Sequence, residues 1–275
     1  MSIGAHIRVG TWNLWWRFGA WDRRRRAIAR VLGFVDADVV GLQEVWSTQR
    51  ENQAEELAAR LGMRFFVWAP SPRPEPWQRR IDDPSVSVGT AILSRWPVVE
   101  HGVRELPEGD MLALYALVRT PAGELPFFTV HLESAPGASS VRCRQVAAIA
   151  ALVAEKGGAD LPAVITGDFN AEPDSDEIRL LEGHKTAPAV PGQVFVDAWR
   201  FADAGAPGAT WDSSNPHAAA LGFPSSRIDY VFLGMAVRGR GRVIGVRRFG
   251  VVPVDGVWAS DHFGVLAHLA AGSSV

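Results

Sequence analysis

Residues 111–118 read Met-Leu-Ala-Leu-Tyr-Ala-Leu-Val, apolar on both alternating faces. A strand of that kind is stable only where both sides of its sheet are covered. Residues 161–165 and 127–130 are likewise apolar, and between such runs the period changes. Ile28, Val31, Leu32 and Val35 form a helical stripe, as do Val146, Ile149 and Val153. Two sheets packed face to face, each backed by helices, satisfy both patterns. With 275 residues at 47% hydrophobic, the chain can bury one large core or two small ones.

Polar residues at the ends of the apolar runs decide for one. Thr166-Gly167-Asp168-Phe169-Asn170 follows the run at 161–165 and reads as a turn. A carboxylate and an amide two residues apart then project from one side, one to hold a proton or a metal, the other to orient a water. The run at 7–14 ends on Thr11-Trp12-Asn13-Leu14, and the run at 38–45 carries Glu44, an ionisable group that a buried strand does not hold without a partner. Residues 127–130 exit into His131-Leu132-Glu133-Ser134. Asp229 stands at the start of the run at 229–232, and Ser260-Asp261-His262 precedes the run at 263–265. Taken singly, each has a bland account: Asn13 as a strand-end cap, Glu44 paired with an arginine, His131 and His262 as satisfied core histidines, Asp229 in an ion pair with Arg227. Amide and acids from both ends of the chain must instead converge if they act together, which makes residues 1–275 a single domain.

In their order, these motifs, with Gly89-Thr90-Ala91-Ile92-Leu93-Ser94-Arg95-Trp96-Pro97 between the Glu44 and His131 segments, resemble the endonuclease/exonuclease/phosphatase superfamily. These are the magnesium-dependent phosphoesterases related to deoxyribonuclease I. The resemblance implies a four-layer α/β sandwich of two mixed β-sheets flanked by helices, with the site at one rim. It also implies Asp168 as acceptor of the proton of the attacking water, Asn170 as orienter of water or phosphate, and His131 and His262, the latter held by Asp229, facing the phosphoryl oxygens. Glu44, with Asn13 and Asp261 in or near the shell, offers hard oxygen ligands, and no Cys/His cluster is present. That set favours Mg²⁺, or Mn²⁺ in its place, over Zn²⁺. In a two-metal scheme Asp168 or Asn170 would be a ligand.

The expected activity is Mg²⁺-dependent hydrolysis of a phosphodiester, possible partners including nucleic acid. Alternatives are a phosphomonoesterase for a small metabolite, lipid headgroup or inositol-type phosphate, and a non-catalytic scaffold. Net charge −2 gives no global attraction to nucleic acid. His131 stands where abasic-site repair members of the family have tyrosine. His-Leu-Glu-Ser followed by Arg142-x-x-Gln145 is similar to the tyrosyl-DNA phosphodiesterase 2 branch and to several phosphodiesterase and phosphatase branches, whereas Phe169 departs from the former. Glu133 and Ser134 read as structural.

The remaining expectations concern surfaces. Residues 69–87, with five prolines plus Arg73, Trp77, Arg79 and Arg80, form the best candidate recognition loop, and residues 207–226 a second. Of Trp12, Trp15, Trp16 and Trp46, one or two would wall the pocket. Arg23 to Arg26 fill a whole helical turn and read as a solvated, salt-bridged helix start. Arg238, Arg240 and Arg242 alternate as on a charged edge strand, and Asp174 with Glu177 reads as a helix cap. A lone Cys143, on the apolar face of a helix, fits a reducing compartment. With no apolar stretch of membrane-span length and a first strand from about residue 7, the expected location is cytoplasmic.

Overall fold

The computed structural model describes residues 6–237 and 239–272. Two six-stranded mixed sheets carry the fold. The first is built from β1 (His6–Asn13), β2 (Val39–Ser47), β3 (Phe65–Pro70), β4 (Ser87–Ser94), β11 (Val243–Phe249) and β12 (Gly264–Ala270), in the order β11-β12-β1-β2-β4-β3. The second contains β5 (Val98–Glu105), β6 (Leu112–Thr120), β7 (Gly123–His131), β8 (Val164–Asp168), β9 (Phe195–Asp197) and β10 (Asp229–Gly234), in the order β5-β6-β7-β8-β10-β9. At the centre of each sheet lies one parallel pair, β1 with β2 and β7 with β8. Parallel neighbours need a crossover, and helices α1 (Trp21–Val35) and α4 (Ser139–Lys156) supply the two. Shorter helices α2 (Gln53–Leu61), α3 (Glu75–Ile81), α5 (Asp176–Glu182) and α6 (Pro216–Ala219) complete the set.

Three apolar interfaces separate the four layers. Ile28, Val31, Leu32 and Val35 of α1 pack with Leu57 of α2 against Val40 and Leu42. Val9, Val39, Leu114, Phe127, Val164, Val231 and Val265 meet between the sheets. Val146, Ile149 and Val153 of α4 cover Phe128, Ile165 and Phe232 from outside. The doubly apolar β6 segment is thus buried on both faces, as its sequence requires: Leu114 faces the other sheet and Tyr115 the helical side. Under the site the sheets come unusually close. A Cβ on Gly41 would lie 2.4 Å from the Thr129 hydroxyl and 2.5 Å from that of Thr166, so only glycine fits. Each fully buried Val, Leu or Phe stabilises by roughly 1.5–3 kcal/mol, and these interfaces hold the strand ends in place.

Several local expectations need correcting. The run at 161–165 becomes strand only from Val164, because Pro162 has no amide to donate, and the strand continues through Asp168 instead of turning at Thr166. Asp174 does not cap α5; Ser175 occupies that position without a capping bond, and Glu177 is turned inward to Arg142. Among the described residues no strand carries the alternating arginines: Arg238 lies outside them, and Gly239 and Gly241 take positive φ (78° and 77°), so Arg240 sits in a turn ahead of β11. Residues 69–87 are no open loop, since α3 forms within them. Cys143 is half-buried on α4, and burial pushes its thiol pKa up. Among the described residues, no helix is long and apolar enough to cross a membrane.

Candidate active site

The parallel pairs of the two sheets end at the same rim, and their ends bring the polar residues together. In the second sheet His131 and Asp168 are register partners, and Asp168 faces Asp229 across the antiparallel β8–β10 pair. In the first sheet a bulge between Leu42 and Val45 puts Glu44 in a left-handed conformation, φ 54°, with its side chain on the cleft wall and bonded to Asn13. Of the eight non-glycine residues with positive φ among those described, Trp15, Trp16, Glu44 and Asn170 all belong to this region. Strained backbone of this kind persists where surrounding contacts enforce it. For the tryptophan loop the enforcer is Arg24. Its buried guanidinium donates to the carbonyls of Leu14 (2.7 Å), Trp15 (2.8 Å), Trp16 (2.9 Å), Phe18 (2.9 Å) and Ala259 (3.0 Å). Burial pushes its pKa down to about 10, against the opposing charges of Asp261 and Glu44.

Asn13 clamps the sheets together. Its Nδ2 donates to Glu44 Oε1 and to Asp168 Oδ2, both at 3.0 Å, and its Oδ1 accepts from the Trp15 amide at 2.9 Å. Both hydrogens of its Nδ2 are therefore directed at carboxylates, and two carboxylates are held side by side. The other oxygen of Asp168 accepts from the Asn170 amide at 2.9 Å, while Asn170 Nδ2 donates to the Leu132 carbonyl at 3.0 Å. His131 Nε2 and His262 Nε2 approach Asp168 Oδ2 at 3.6 and 3.7 Å, close but beyond hydrogen-bond length. Behind His262, its Nδ1 donates to Asp229 Oδ2 at 2.9 Å, which fixes the ring with Nε2 toward Asp168.

Charge in this region is unbalanced. Burial alone would lower the His262 pKa; the carboxylates of Asp229 and Asp168 outweigh it and hold the imidazole well above its ordinary value. Asp229 is raised by burial, against the pull of His262. Burial pushes Asp261 up to about 7, with Glu44 adding to the rise and His262 and Arg24 opposing it. Two buried oxygens, Glu44 Oε2 and Asp229 Oδ1, have no hydrogen-bond partner. Such atoms are costly unless a ligand completes them.

That deficit fits a hard divalent cation: Glu44 and Asp261 offer carboxylate oxygens, one of them orphaned and the other not fully ionised at neutral pH without positive charge nearby. Asp168, Asp229 and His262 also place ligand atoms within 4.8 Å of one another. Within this second group His262 and Asp229 are also hydrogen-bonded to each other.

These residues open onto a cleft of about 510 Å³. Glu44, His131, Asp168, Asn170, Asp261 and His262 line it, whereas Asn13 and Asp229 stand behind the wall. Trp15 alone of the four N-terminal tryptophans lines the cleft, joined by Phe18 and Trp77 on one side and Trp211, Leu221 and Phe223 on the other. Both candidate recognition segments therefore reach it. Ser134, read as structural, also lines it. Ser260, and Thr210 and Asn215 within the 207–226 segment, carry tasks that the sequence did not assign them. Ser260 Oγ donates to the Asn13 carbonyl (2.7 Å), Thr210 Oγ1 accepts from the Asp229 amide (3.1 Å), and Asn215 Nδ2 donates to the Ser260 carbonyl (2.8 Å). The position of Ser260 beside Asp261 was the one available signal.

Known proteins align with this frame. A family model described as "Endonuclease/Exonuclease/phosphatase family" matches residues 10–262. Protein angel of Drosophila melanogaster is 29% identical over 182 residues, 60% of this chain and 48% of that protein; the chain thus matches about half the length of this curated relative. Among solved structures, D. rerio TDP2 complexed with single strand DNA product superposes with a TM-score of 0.75 at 20% identity, covering 96% of this chain and 99% of that one. The human Nocturnin catalytic domain with bound sulfate anion gives 0.73 at 18% identity, covering 97% and 96%. An endonuclease/exonuclease/phosphatase from Beutenbergia cavernae gives 0.68 at 25% identity, covering 97% and 72%.

Proposed function

The chain belongs to the endonuclease/exonuclease/phosphatase family, and on that premise we propose that it is a Mg²⁺-dependent phosphodiesterase acting by in-line attack of water. The observation that carries this reading is Asp168. Its carboxylate is fixed through both oxygens by Asn13 and the Asn170 amide, with two imidazoles just beyond hydrogen-bond reach. The gap between them suits a phosphoryl group.

Glu44 and Asp261 would hold the cation, which supplies charge neutralisation at the phosphoryl oxygens when bound; Mn²⁺ fits the same oxygen donors. Asn13 then acts on the cation indirectly, by holding Glu44. Asp168 accepts the proton of the attacking water, the position of its Oδ2 being set from the far sheet. His262, kept protonated by Asp229, directs an N–H toward the developing negative charge, and such preorganised donors lower the barrier most where water is excluded. His131 does the same from the neighbouring strand. Asn170, its backbone amide tied to Asp168 and its side chain to Leu132, orients the water or the phosphate. Kinship with TDP2, solved with a single-stranded DNA product, and with Nocturnin, solved with a sulfate anion, supports a phosphoester of nucleotide type as substrate.

A monoesterase for a small metabolite remains the second reading, favoured by the net charge of −2 and the four carboxylates, Glu44, Asp168, Glu172 and Asp261, that line the cleft. Hydrolysis of bis(p-nitrophenyl) phosphate against p-nitrophenyl phosphate separates them, with EDTA and Asp168→Asn as controls. Diester turnover abolished by both controls is expected. Monoester turnover alone selects the second reading, and no turnover of either with no divalent-cation binding by calorimetry returns the chain to a scaffold.

A further inference from the structure

Two arginines line the cleft, and they differ completely in what they do. Arg142 is spent: it donates to Glu177 and to the carbonyls of Glu133 and Ala135. Arg80 is exposed and, among the described residues, bonds to no carboxylate or carbonyl. It stands over aromatic rings instead, with its guanidinium carbon 4.3 Å from the Phe18 ring centroid and 5.4 Å from that of Trp77.

The support under Arg80 is firm. Trp77 is buried, its indole Nε1 donates to Asp110 Oδ2 at 2.7 Å, and its ring meets Trp16 edge to face at 5.8 Å. Stacking on aromatic faces fixes the plane of a guanidinium while leaving its in-plane N–H groups free, the fork that matches a phosphate. Trp77 is in turn 6.1 Å from the His131 ring, so the free fork stands one aromatic ring away from the catalytic cluster. An anion approaching a cleft lined by carboxylates needs cations there, and no other arginine or lysine in the lining is uncommitted. Helix α3, which carries Arg80 and Trp77, is the ordered part of the proline-rich connection singled out in the sequence.

We propose that Arg80 is a specificity-determining residue, holding a second phosphoryl group of the substrate beside the scissile one, so that the preferred substrates carry two phosphates on one molecule. The proposal rests on the phosphoesterase reading but fails separately from it. Substrates of this chemistry include nucleotide strands and small bisphosphates of sugar or inositol type.

The test is calorimetric binding, in Mg²⁺, of thymidine 3′,5′-bisphosphate and thymidine 5′-monophosphate to the full chain and to Arg80→Gln and Arg80→Lys, with inositol 1,4-bisphosphate as a further arm. A charged hydrogen-bonding contact predicts that the bisphosphate binds the unaltered protein about 10- to 100-fold more tightly than the monophosphate. Arg80→Gln closes that gap by weakening the bisphosphate far more than the monophosphate, and Arg80→Lys keeps part of it. Equal tightening by inositol bisphosphate assigns the site to phosphate alone; tightening by the nucleotide only assigns it to nucleotide strands. A gap that persists in Arg80→Gln, or no gap in the unaltered protein, overturns the proposal. Because the Arg80 side chain is exposed and, among the described residues, makes no hydrogen bond, its variants should melt with the unaltered chain. Turnover of bis(p-nitrophenyl) phosphate by the unaltered protein tests the phosphoesterase reading on its own. Its absence would count against that reading, and the binding comparison would still decide the role of Arg80.

Discussion

Two clusters of charge are buried a short way apart, one behind the loop that follows β7 and one at the cleft, and they are finished to different degrees. In the first, Arg142 Nε donates to Glu177 Oε1 at 2.5 Å and its other nitrogens to carbonyls of the 133–136 loop. The second oxygen of Glu177 accepts from Ser139 at 2.7 Å, and Gln145 bridges the Glu133 amide and the Pro107 carbonyl. In the second cluster Glu44 and Asp229 each have an oxygen with no partner, and the contacts of His131 and His262 with Asp168 stop at 3.6 and 3.7 Å. A completed cluster fastens the loop that follows His131. An incomplete one is unfavourable in the empty protein and becomes favourable when something enters. The two should therefore respond in opposite ways to substitution.

The largest effect is expected at Asp168. Loss of a positioned general base lowers the rate by about 10²- to 10⁴-fold, so Asp168→Asn should lose Mg²⁺-dependent diester hydrolysis to that extent. Its melting temperature should stay level or rise, because a buried charge among carboxylates is removed. Steady-state kinetics beside a thermal melt reads both, and a variant that is inactive only because it is unfolded would place Asp168 with the fasteners.

Arg142→Ala should do the reverse. Removing one member of a buried pair leaves Glu177 charged and uncompensated, at a cost of about 3–5 kcal/mol, measured by urea unfolding. Activity per folded molecule should fall far less than in Asp168→Asn. An Arg142→Ala protein of unchanged stability would erase the distinction between the clusters.

The pH dependence of the metal-free protein sharpens the same contrast. Asp261 has a folded pKa of about 7 against an ordinary 3.8, so between those values the folded state binds more protons than the unfolded. Stability contributed by the protonated form is then present at low pH and is lost as pH rises from about 4 to about 7, by at most about 1.4 kcal/mol per unit. Unfolding in EDTA across that window should show the decline, and Asp261→Asn should flatten it. Adding Mg²⁺ should restore stability at pH 7, by roughly 2.7 kcal/mol at a hundredfold excess over Kd. Glu44→Gln should abolish that Mg²⁺-dependent rise in melting temperature.

The same contrast explains what could be read from the chain. The β7 and β8 ends were legible because a polar pair interrupts an apolar run, and the sheet pairing was legible because residues 111–118 admit no exposed face. The Arg142–Glu177 link was not. Glu177 follows Asp174 at cap spacing, and only the packing of α5 against α4 turns its side chain inward to a partner 35 residues away. Likewise Arg24 belongs to an arginine run whose neighbours are solvated; that one member of it organises the tryptophan loop depends on where α1 docks. Local pattern marks a strand end, whereas the satisfaction of a buried charge is settled by tertiary contact. The bulge that places Glu44 on the cleft wall belongs to the second kind, although the residue itself stood out.

The smallest effect is expected where charge is dense but exposed. Arg23, Arg25, Arg26 and Arg30 line a groove of about 570 Å³ with Arg60, and on volume alone it rivals the cleft. Its charges are largely answered: Arg25 pairs with Glu56 at 2.7 Å and Glu51 at 3.2 Å, Arg60 with Glu56 at 2.9 Å, and Arg30 with Asp255. Exposed pairs of this sort contribute about 0–1 kcal/mol each, and, unlike the cleft, the groove brings no orphaned buried oxygen. The double substitution Arg23→Gln with Arg26→Gln should therefore shift stability by less than about 0.5 kcal/mol and leave kcat/KM for a single-stranded oligonucleotide unaltered at moderate salt. A large rise in KM with that substrate alone, with bis(p-nitrophenyl) phosphate unaffected, would make the groove a track for the nucleic-acid backbone. Incompleteness of buried charge would then mark where the chemistry occurs without marking the whole surface that the substrate uses.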